Sequence, residues 1–366
     1  MEVVIYKWLR RKDLNGWNDM KTKCKCLISA VGHLLGRAVW AGIFLLIAPD
    51  VQAQNLIVSD VSSVDEFTPG GTQSTFVSGL GISTGLAFNS AGDLFVADIG
   101  NNSIYEFTTN GVQSTFASGL NSPAGLAFNN AGYLFEADSI NGYGAINAFT
   151  PGGARSTFAS DNLNAPLNAP AGMAFNSAGD LFVADSSSSK IYEYTPGGVQ
   201  STFASGLSSP QGLAFNNAGN LFVADSGSGN IYEFTTNGVQ STFASGMSSP
   251  EGLAFNSAGV LFVANTGSHT IIEITTNGVQ SPFAAGLSFP YFLAFQPVFG
   301  PPPPLNIATT GNQSVLFWPA SGNNYILQST TNLASTNWVT ATDAVPVTAF
   351  TITNSSPARY FRLTQP

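Results

Sequence analysis

A motif of 40 residues, repeated along most of the chain, constrains the fold more than any other feature. A Gly-Leu-Ala-Phe core, or a close variant, begins at the positions Gly85, Gly125, Gly172, Gly212 and Gly252, with a degenerate copy at Phe292. Successive copies lie 40, 47, 40, 40 and 40 residues apart. A fixed period of this length is typical of a fold that arranges one supersecondary unit in an array or a ring.

Each copy contains four short apolar runs separated by turn residues. In one copy these runs are Gly212–Phe215, Leu221–Ala224, Ile231–Thr235 and Ser241–Ala244. Phenylalanine and β-branched or aromatic residues dominate all but the first run, as strands prefer. The Asn-Gly and Gly-rich breaks supply the positive φ that hairpin turns need. No run has a helical period, so each unit is predicted to be a four-stranded blade of a β-propeller.

The ends of the repeat region predict how the ring closes. Strands of the Leu-Phe-Val-Ala-Asp type occur six times, beginning with Leu56–Asp60, but the first of them has no preceding Gly-Leu-Ala-Phe strand. Conversely, the last Gly-Leu-Ala-Phe-type strand, Phe292–Phe295, has no partner after it. Pairing these two strands completes one blade and removes exposed sheet edges. We therefore predict an all-β fold with a six-bladed β-propeller over residues 55–296.

The third repeat is the irregular one. It is longer by seven residues, which we assign to the stretch Asp161–Pro170, and its turn Ser139–Ala145 departs from the pattern. This blade is expected to carry the largest excursions on the ring.

The first 53 residues differ in composition from the rest. They hold eight of the twelve basic residues, then an apolar run, Ala38–Ala48, and the small-residue site Val51–Ala53. This pattern predicts a cleaved signal peptide (residues 1–53) and a secreted bacterial-type protein, extracellular or periplasmic. The run is short for a spanning helix, so we expect no membrane span after cleavage, with a membrane anchor as the alternative. Met20 competes with Met1 as the start.

Removing that segment changes which chemistry the chain can support. Both cysteines, Cys24 and Cys26, are lost, so disulfides and thiolate sites are excluded, and His269 remains as the only histidine. Four basic residues face seventeen acidic ones, a formal net charge of −13. With no basic stripe, nucleic-acid binding is not expected. We expect a monomer.

The repeat stops before the C-terminus. Residues 297–304 form a proline-rich linker, whose Gly-Pro-Pro-Pro-Pro segment predicts a stiff extended spacer. Five strand-like runs follow within residues 305–366: Val315–Trp318, Tyr325–Gln328, Trp338–Ala341, Phe350–Thr353 and Tyr360–Leu363. They predict a small β-sandwich-like domain with an aromatic core. Their rhythm resembles the fibronectin-like or immunoglobulin-like tails of bacterial secreted proteins.

The repeat itself resembles a known family. Its signature residues are Pro210-x-Gly212-Leu213-Ala214-Phe215, Gly219-x-Leu221-Phe222-Val223-Ala224-Asp225 and Asn230-Ile231. This pattern is similar to the NHL repeat and to the SMP-30/gluconolactonase-like region, and the match covers all six blades. The resemblance implies a six-bladed propeller but no single activity, because such propellers serve as lactonases, lyases, sugar dehydrogenases, receptors and docking rings.

Two sets of repeated acids invite a functional interpretation. The six strands of the Leu-Phe-Val-Ala-Asp type, the second strand of each blade, end at Asp60, Asp98, Asp138, Asp185, Asp225 and Asn265. A ring of carboxylates is one hypothesis, but an aspartate before a Gly/Ser turn usually bonds to the turn's own backbone, and we favour that structural role. The other set is Glu66, Glu106, Glu193, Glu233 and Glu273, with Ala148 in the irregular repeat. An exposed strand position explains these glutamates.

The informative position is the residue just before the repeat glycine, here called the slot. It reads Thr84, Ala124, Ala171, Gln211, Glu251 and Tyr291 around the ring. It begins the innermost strand, so it is expected to line the mouth of the central channel. The turns after the second strands open on the same face, the top face, and loops on one face of a rigid ring form the usual binding site. We predict ligand contacts from Thr84, Gln211, Glu251 and Tyr291.

The resemblance also implies a metal at the slot. In the gluconolactonase-like family this slot supplies Glu, Asn and Asp ligands to one divalent metal, and here only Glu251 matches in type, with Gln211 as a neutral oxygen donor. Calcium prefers six or more oxygens, several of them charged. A complete site would need Asp185 or Asp225 to turn inward. The candidate metal ligands are therefore Glu251, Gln211, Asp185 and Asp225, and calcium is the candidate cofactor. The missing ligands argue against lactonase activity.

His269 lies in the turn Thr266–Thr270, on the top face. It is a candidate general base, or the single catalytic histidine of a lyase-like propeller, and Glu251 is the other candidate catalytic residue. The alternative is a solvated turn histidine, where NHL repeats often carry Asn-His-Arg. No nucleophile elbow is visible in the sequence.

The sequence favours a secreted, non-catalytic scaffold that binds a protein or glycan ligand on its top face. The alternatives are a metal-dependent SMP-30/gluconolactonase-like hydrolase with Glu251 as the surviving ligand, and a cell-surface structural module. Near-identical repeats indicate recent duplication, which leaves little time for an active site to diverge. This consideration favours the scaffold and the structural module over the enzyme.

Overall fold

The computed structural model describes residues 54–140, 143–160 and 167–297, and the backbone of six strands after residue 305. The predicted signal peptide and the linker from residue 298 onward lie outside the described residues, so both stay predictions. Within the described part of the chain, one 3-10 turn at Thr266–Ser268 is the only helical element, and no helix is long and apolar enough to span a membrane.

Six four-stranded antiparallel sheets form the ring and confirm the six-bladed β-propeller. Blade 1 contains β1 (Leu56–Asp60), β2 (Ser63–Phe67), β3 (Gln73–Ser78) and β24 (Pro290–Phe295). Blade 2 contains β4 (Ser83–Phe88), β5 (Leu94–Asp98), β6 (Ser103–Phe107) and β7 (Gln113–Ser118). Blade 3 contains β8 (Leu126–Phe128), β9 (Leu134–Ile140), β10 (Tyr143–Phe149) and β11 (Arg155–Ser160). Blade 4 contains β12 (Pro170–Phe175), β13 (Leu181–Asp185), β14 (Lys190–Tyr194) and β15 (Gln200–Ser205). Blade 5 contains β16 (Pro210–Phe215), β17 (Leu221–Asp225), β18 (Asn230–Phe234) and β19 (Gln240–Ala244). Blade 6 contains β20 (Pro250–Phe255), β21 (Leu261–Asn265), β22 (Thr270–Ile274) and β23 (Gln280–Ala285).

The second strand of each blade is apolar on both faces because both faces lie against neighbouring blades. In β17, Leu221 and Val223 pack into the interface with blade 4, and Phe222 packs into the interface with blade 6. Full burial of one such side chain stabilises the fold by roughly 1.5–3 kcal/mol. The core is therefore a set of separate seams between adjacent blades, called seam 4/5, seam 5/6 and so on.

Phenylalanine dominates the strands because aromatic rings interlock at these seams. In seam 5/6, Phe222 lies edge-on against Phe243 and Phe255, with ring centroids 4.9 Å apart in both pairs. Edge-to-face pairs contribute beyond the area that they bury. The same arrangement recurs around Phe95, Phe135, Phe182 and Phe262.

The predicted ring closure is confirmed. Strand β24 pairs antiparallel with β1, in the register Leu56↔Phe295 and Val58↔Leu293. Asp60 fixes the junction because its carboxylate accepts hydrogen bonds from the backbone N–H groups of Ser288 and Phe289. The two chain ends of the propeller thus complete one blade.

Blade 3 is irregular, as expected. Its hairpin strands β9 and β10 are seven residues long where those of blade 5 have five, and its inner strand β8 has only three residues. The longer hairpin leaves Tyr143 exposed at its tip. The predicted extra length at Asp161–Pro170 falls largely on residues 161–166, which lie outside the described residues.

The strands after the linker belong to a second compact unit. They are β25 (Asn306–Thr310), β26 (Gln313–Phe317), β27 (Ile326–Thr330), β28 (Val339–Thr340), β29 (Ala349–Thr353) and β30 (Tyr360–Thr364). They form two three-stranded sheets, in the orders β25-β26-β29 and β28-β27-β30. Five overlap the predicted runs and β25 was not predicted, while packing of the two sheets as a sandwich stays a prediction.

Candidate functional site

The strand-ending aspartates hold the loops of the top face. The carboxylate of Asp98 accepts hydrogen bonds from the N–H groups of Gly81 at 2.8 Å, Ile82 at 2.9 Å and Asn101 at 3.1 Å. Burial opposes ionisation, but these N–H groups outweigh it and lower the pKa of Asp98. Asp98 therefore binds its own turn, as predicted, and also the loop that leads into the inner strand of its blade. The other strand-ending aspartates share the second contact, and they are Asp60, Asp138, Asp185 and Asp225.

Asp185 and Asp225, two of the candidate metal ligands, are placed in the same way. Asp185 accepts from Asn168 N at 2.7 Å and from Ser188 N at 3.1 Å. Asp225 accepts from Ser208 N at 2.8 Å. Both carboxylates are buried, and both face backbone N–H groups. Their hydrogen bonds stabilise the loops.

The slot residues and the top-face turns lie at the same end of the propeller. Pro210, just before slot residue Gln211, pairs with Asp225, and Pro250 pairs with Asn265 in the next blade. The register of each inner strand shifts just after this pair, so the slot residue and the following glycine form a β-bulge. The bulge turns this short segment out of the regular strand.

Glycine after the slot is required because adjacent inner strands touch. A Cβ atom on Gly212 would lie 2.1 Å from the carbonyl oxygen of Glu251, and one on Gly125 would lie 2.0 Å from that of Ala171. The approach is close enough for Gly85 N to donate to the Ala124 carbonyl oxygen at 2.9 Å. The space on the propeller axis is therefore narrow, and backbone surrounds it.

The four polar slot residues occupy consecutive blades. In ring order they are Gln211, Glu251, Tyr291 and Thr84, and together they form what is here called the polar arc. Thr84 is buried, and its hydroxyl donates to the Pro123 carbonyl oxygen at 3.1 Å. Gln211 Nε2 donates to Ser209 Oγ at 3.4 Å. The structure thus places the four predicted ligand-binding residues on four consecutive blades of the six, and it gives Thr84 a backbone partner.

Glu251 and Tyr291 dominate the electrostatics of the arc. Burial raises the pKa of Glu251 to about 7. Burial also raises the pKa of Tyr291, and the negative charges of Glu251 and Asp60 add to that effect. The two residues stand on adjacent inner strands of blades 6 and 1, where a Cβ atom on Gly252 would lie 2.5 Å from the Tyr291 carbonyl oxygen.

His269 connects two top-face turns. It has a left-handed backbone conformation, with φ of 59°, and its Nδ1–H donates to the Ser288 carbonyl oxygen. Its ring lies edge-on against Phe289, with centroids 4.9 Å apart. In blade 2 the corresponding residue, Asn102, accepts from Ser122 N at 3.1 Å. The histidine therefore makes the turn-to-turn contact that Asn102 makes in blade 2.

A buried polar network in seam 2/3 was missed in the sequence. Glu136 is 0% exposed and stands where the second strand elsewhere has valine. Asn147 Nδ2 donates to Glu136 Oε2 and to Asp138 Oδ2, both at 2.9 Å. Arg155 Nη2 pairs with Asp138 Oδ2 at 3.1 Å. The signal was a Leu-Phe-Glu-Ala-Asp strand in the repeat that was already recognised as irregular.

This network contains a proton at neutral pH. Burial raises the pKa of Glu136 to about 9, and hydrogen bonding to Asp138 and repulsion from it add to the shift. Asn147 and Arg155 act in the opposite direction. Glu136 Oε1 and Asn147 Oδ1 are both buried acceptors with no hydrogen-bond donor. A proton on Glu136 adds one donor to this group of acceptors, which agrees with the raised pKa of its carboxyl group.

One further feature, a cavity, lies away from the polar arc. A cavity of about 220 Å³ opens beside the turn Asn256–Ala258, at the end of the propeller opposite the slot, where Gln54 Oε1 accepts from Ser257 N at 2.8 Å. Across the described ranges, no group of three or more His, Cys, Asp and Glu side chains is arranged to hold a metal ion.

Comparison with solved structures finds several propellers of similar fold. A structure of a nidogen/laminin complex matches with 18% identity and a TM-score of 0.60, over 66% of this chain and 98% of that chain. A gluconolactonase from Xanthomonas campestris matches with 16% identity and a TM-score of 0.52, over 64% and 82%. Virginiamycin B lyase from Staphylococcus aureus matches with 16% identity and a TM-score of 0.51, over 70% and 84%. At such identities the likeness shows the fold alone.

No protein-family model matches the chain, and no curated protein matches it.

Proposed function

We propose that the chain is an exported scaffold whose top face binds a protein or glycan ligand at the channel mouth without converting it. The observation that carries this proposal is the polar arc. The blades repeat almost the same residues, while the slot changes from blade to blade and gathers Gln211, Glu251 and Tyr291 on one side of a rigid ring. A varied, partly open rim on an otherwise uniform scaffold is the usual location of a ligand site.

The surrounding groups favour binding over chemistry. The carboxylates of Asp185 and Asp225 accept backbone N–H groups, and the imidazole of His269 donates to Ser288. These bonds rigidify the loops that frame the mouth. A preformed rim loses little conformational entropy when a ligand binds.

The comparisons support the same proposal. One propeller of this fold was solved as part of a nidogen/laminin complex, which is an assembly between proteins. Export belongs to the proposal as well, with cleavage after Ala53 and the propeller outside the cytoplasm.

A lactonase-like hydrolase is the second candidate, and Glu251 is the observation that favours it. A carboxyl group with a pKa of about 7 is suited to general-base work at neutral pH. A gluconolactonase is among the proteins of similar fold. The slot offers a divalent metal only the Glu251 carboxylate and the Gln211 amide oxygen, fewer oxygens than such an ion prefers, so this alternative rests on Glu251 as a base.

Direct binding tests the scaffold proposal. Immobilised full-length exported protein would be exposed to purified cell-surface glycans and exported proteins, and compared with a Glu251→Ala/Tyr291→Ala variant. Glu233→Ala, on a repeated strand position away from the slot, is the control. We expect a ligand that the control retains and the double variant loses.

Lactone hydrolysis tests the alternative. Rates of δ-lactone opening would be measured with calcium and with chelator, and we expect no metal-dependent rate. Calcium-dependent hydrolysis that Glu251→Ala abolishes would replace the scaffold proposal with the enzyme.

A further inference from the structure

We infer that the channel mouth recognises a primary alkylammonium group, with the Glu251 carboxylate pairing to the cation and Tyr291 and Phe289 contacting the carbon chain. This inference rests on the proposed function, since it names the chemistry of a ligand at that site. A lysine side chain of a protein ligand has this chemistry, and so does a free aliphatic amine.

The charge balance of the mouth points to a cationic ligand. Glu251 is the one carboxylate among the slot residues, and across the described residues no hydrogen bond or ion pair to it is found. The two basic residues of the described propeller are engaged elsewhere. Arg155 pairs with Asp138, and Lys190 Nζ lies 5.8 Å from the ring centroid of Tyr192. A partly buried carboxylate without a partner gains more from a cation than from a neutral group.

The shape of the mouth favours a slender chain. The inner strands approach so closely that a Cβ atom on Gly252 would lie 2.5 Å from the Tyr291 carbonyl oxygen. The same closeness holds at the glycines of blades 2 to 5. Backbone therefore narrows the axis beneath the slot, and a linear methylene chain fits such an opening better than a sugar ring.

Two exposed apolar side chains lie on the top-face loops of blades 1 and 2, the two blades that follow the blade of Glu251 around the ring. Two residues before the slot, blades 1 and 2 carry Phe289, 48% exposed, and Ile82, 38% exposed. The other four blades have the small residues Ser122, Ala169, Ser209 and Ser249 at this position. The His269 ring supports Phe289 from the side of blade 6, the blade of Glu251. Aromatic and aliphatic surface beside a carboxylate suits an ammonium group on a carbon chain.

The test uses the full exported chain and the simplest probe. n-Butylammonium chloride would be titrated by calorimetry and by NMR chemical shifts, at constant ionic strength and with chelator present. n-Butanol is the uncharged control, and Nα-acetyl-lysine-N-methylamide represents the side chain of a protein. The variants are Glu251→Gln and Phe289→Ser, with Glu233→Gln as the matched control, and melting curves check that each one folds.

We expect saturable binding of both amines and none of butanol. Glu251→Gln should weaken binding about ten-fold and Phe289→Ser about three-fold, while Glu233→Gln leaves it unchanged.

Three results would overturn the inference: no saturable binding of butylammonium, equal binding of butanol, or unchanged affinity in Glu251→Gln. If a glycan or protein ligand still depends on Glu251 and Tyr291 while butylammonium fails to bind, the inference falls and the proposed function stands. Tight calcium binding that Glu251→Gln abolishes, without amine binding, would overturn it in favour of a metal site.

Discussion

Blades 3 and 5 have the same four-stranded plan but fill their seams with opposite chemistry. In blade 5, Val223 and Tyr232 pack into an apolar seam 4/5. In blade 3 the corresponding residues are Glu136 and Asn147, and they form a buried polar network with Asp138. The backbone tolerates both because inner glycines and strand-ending aspartates fix the ring. The comparison teaches that seam side chains can change, provided that they change as a set.

Placing a glutamate in seam 4/5, which lacks the polar partners of Glu136, should produce the largest loss of stability. In Val223→Glu, a carboxyl group enters a seam that has no asparagine or arginine to receive it. We expect a loss of more than about 4 kcal/mol in the free energy of unfolding, because an unpartnered buried charge is among the costliest single changes. Urea unfolding followed by circular dichroism measures this loss.

The reverse change in blade 3 is the control. Glu136→Val restores the repeat residue, and Asn147 keeps its hydrogen bond to Asp138. Removing Glu136 while Asn147 stays takes one partner out of a buried hydrogen-bonded pair, so we expect a loss of about 1–3 kcal/mol, smaller than that of Val223→Glu. A Glu136→Val variant as stable as the unchanged chain would contradict the idea of a matched set.

The ring was predictable because its signals are local and repeated. Strand type, turn residues and the offset between Leu56–Asp60 and Phe292–Phe295 all follow from period and composition. Because the same pattern recurs in six copies, each weak local propensity is observed six times and becomes a strong prediction. The slot position was predictable for the same reason, since the register of one hairpin, such as Pro250↔Asn265, places it in every blade.

The blade 3 network was harder to predict because its contacts cross strands. Arg155 and Asp138 are 17 residues apart and lie on different strands of one blade. Only the fold shows that Arg155, which replaces the glutamine of the other blades, and Glu136 depart from the repeat in the same seam. Likewise, the burial that raises the pKa of Glu251 depends on how neighbouring blades enclose it.

Substitution of the inner-strand glycines tests whether blades 3 and 5 are packed equally tightly around the propeller axis. In Gly212→Ala of blade 5, the added methyl group meets the Glu251 carbonyl oxygen at 2.1 Å, a backbone atom that cannot move aside. In Gly125→Ala of blade 3 the corresponding distance, to the Ala171 carbonyl oxygen, is 2.0 Å. We expect both to cost about 3 kcal/mol, as severe overpacking does. Urea midpoints measure this cost.

Gly70→Ala is the matched control for both glycines. It lies in a turn where the new methyl group meets nothing within 4 Å. Its stability should change by less than about 1 kcal/mol. A blade 3 variant as mild as this control would show that the inner ring is loosened there too, and the difference between the blades would then extend beyond the seam.

The pH dependence of the free energy of unfolding should show a contribution from Glu136 of blade 3 that blade 5 lacks. The folded-state pKa of Glu136 is raised to about 9, so its contribution is complete below the unfolded value of about 4.3 and is lost as pH rises through 9. The urea midpoint should therefore decrease as the pH is raised from 5 to 9. Glu136→Gln should flatten this dependence of the midpoint on pH. The groups facing Glu136 are Asp138 on its own strand and Asn147 and Arg155 on the next two.

Glu251 provides the comparison within the same measurement. Its pKa of about 7 has the same sign, so Glu251→Gln should remove only the part of the slope below about pH 7. If Glu136→Gln leaves the slope above pH 7 unchanged, the buried proton of blade 3 is not where the structure places it.

The smallest effect should come from Arg155→Gln, which restores the residue of the other five blades. The guanidinium is 37% exposed and pairs with Asp138 at 3.1 Å, so solvent screens the pair and we expect a loss of about 0.5 kcal/mol at pH 7. Its charge matters more when Glu136 ionises, because Arg155 lowers the pKa of that group. A double-mutant cycle with Glu136→Gln should therefore be additive at pH 7 and show coupling near pH 9. Gln240→Arg in blade 5 is the control, and it should bring no stabilisation because the Asp225 carboxylate already accepts from Ser208 N and Ser228 Oγ. Additivity at both pH values would show that Arg155 and Glu136 act independently, and the polar seam would then be two separate substitutions rather than a set.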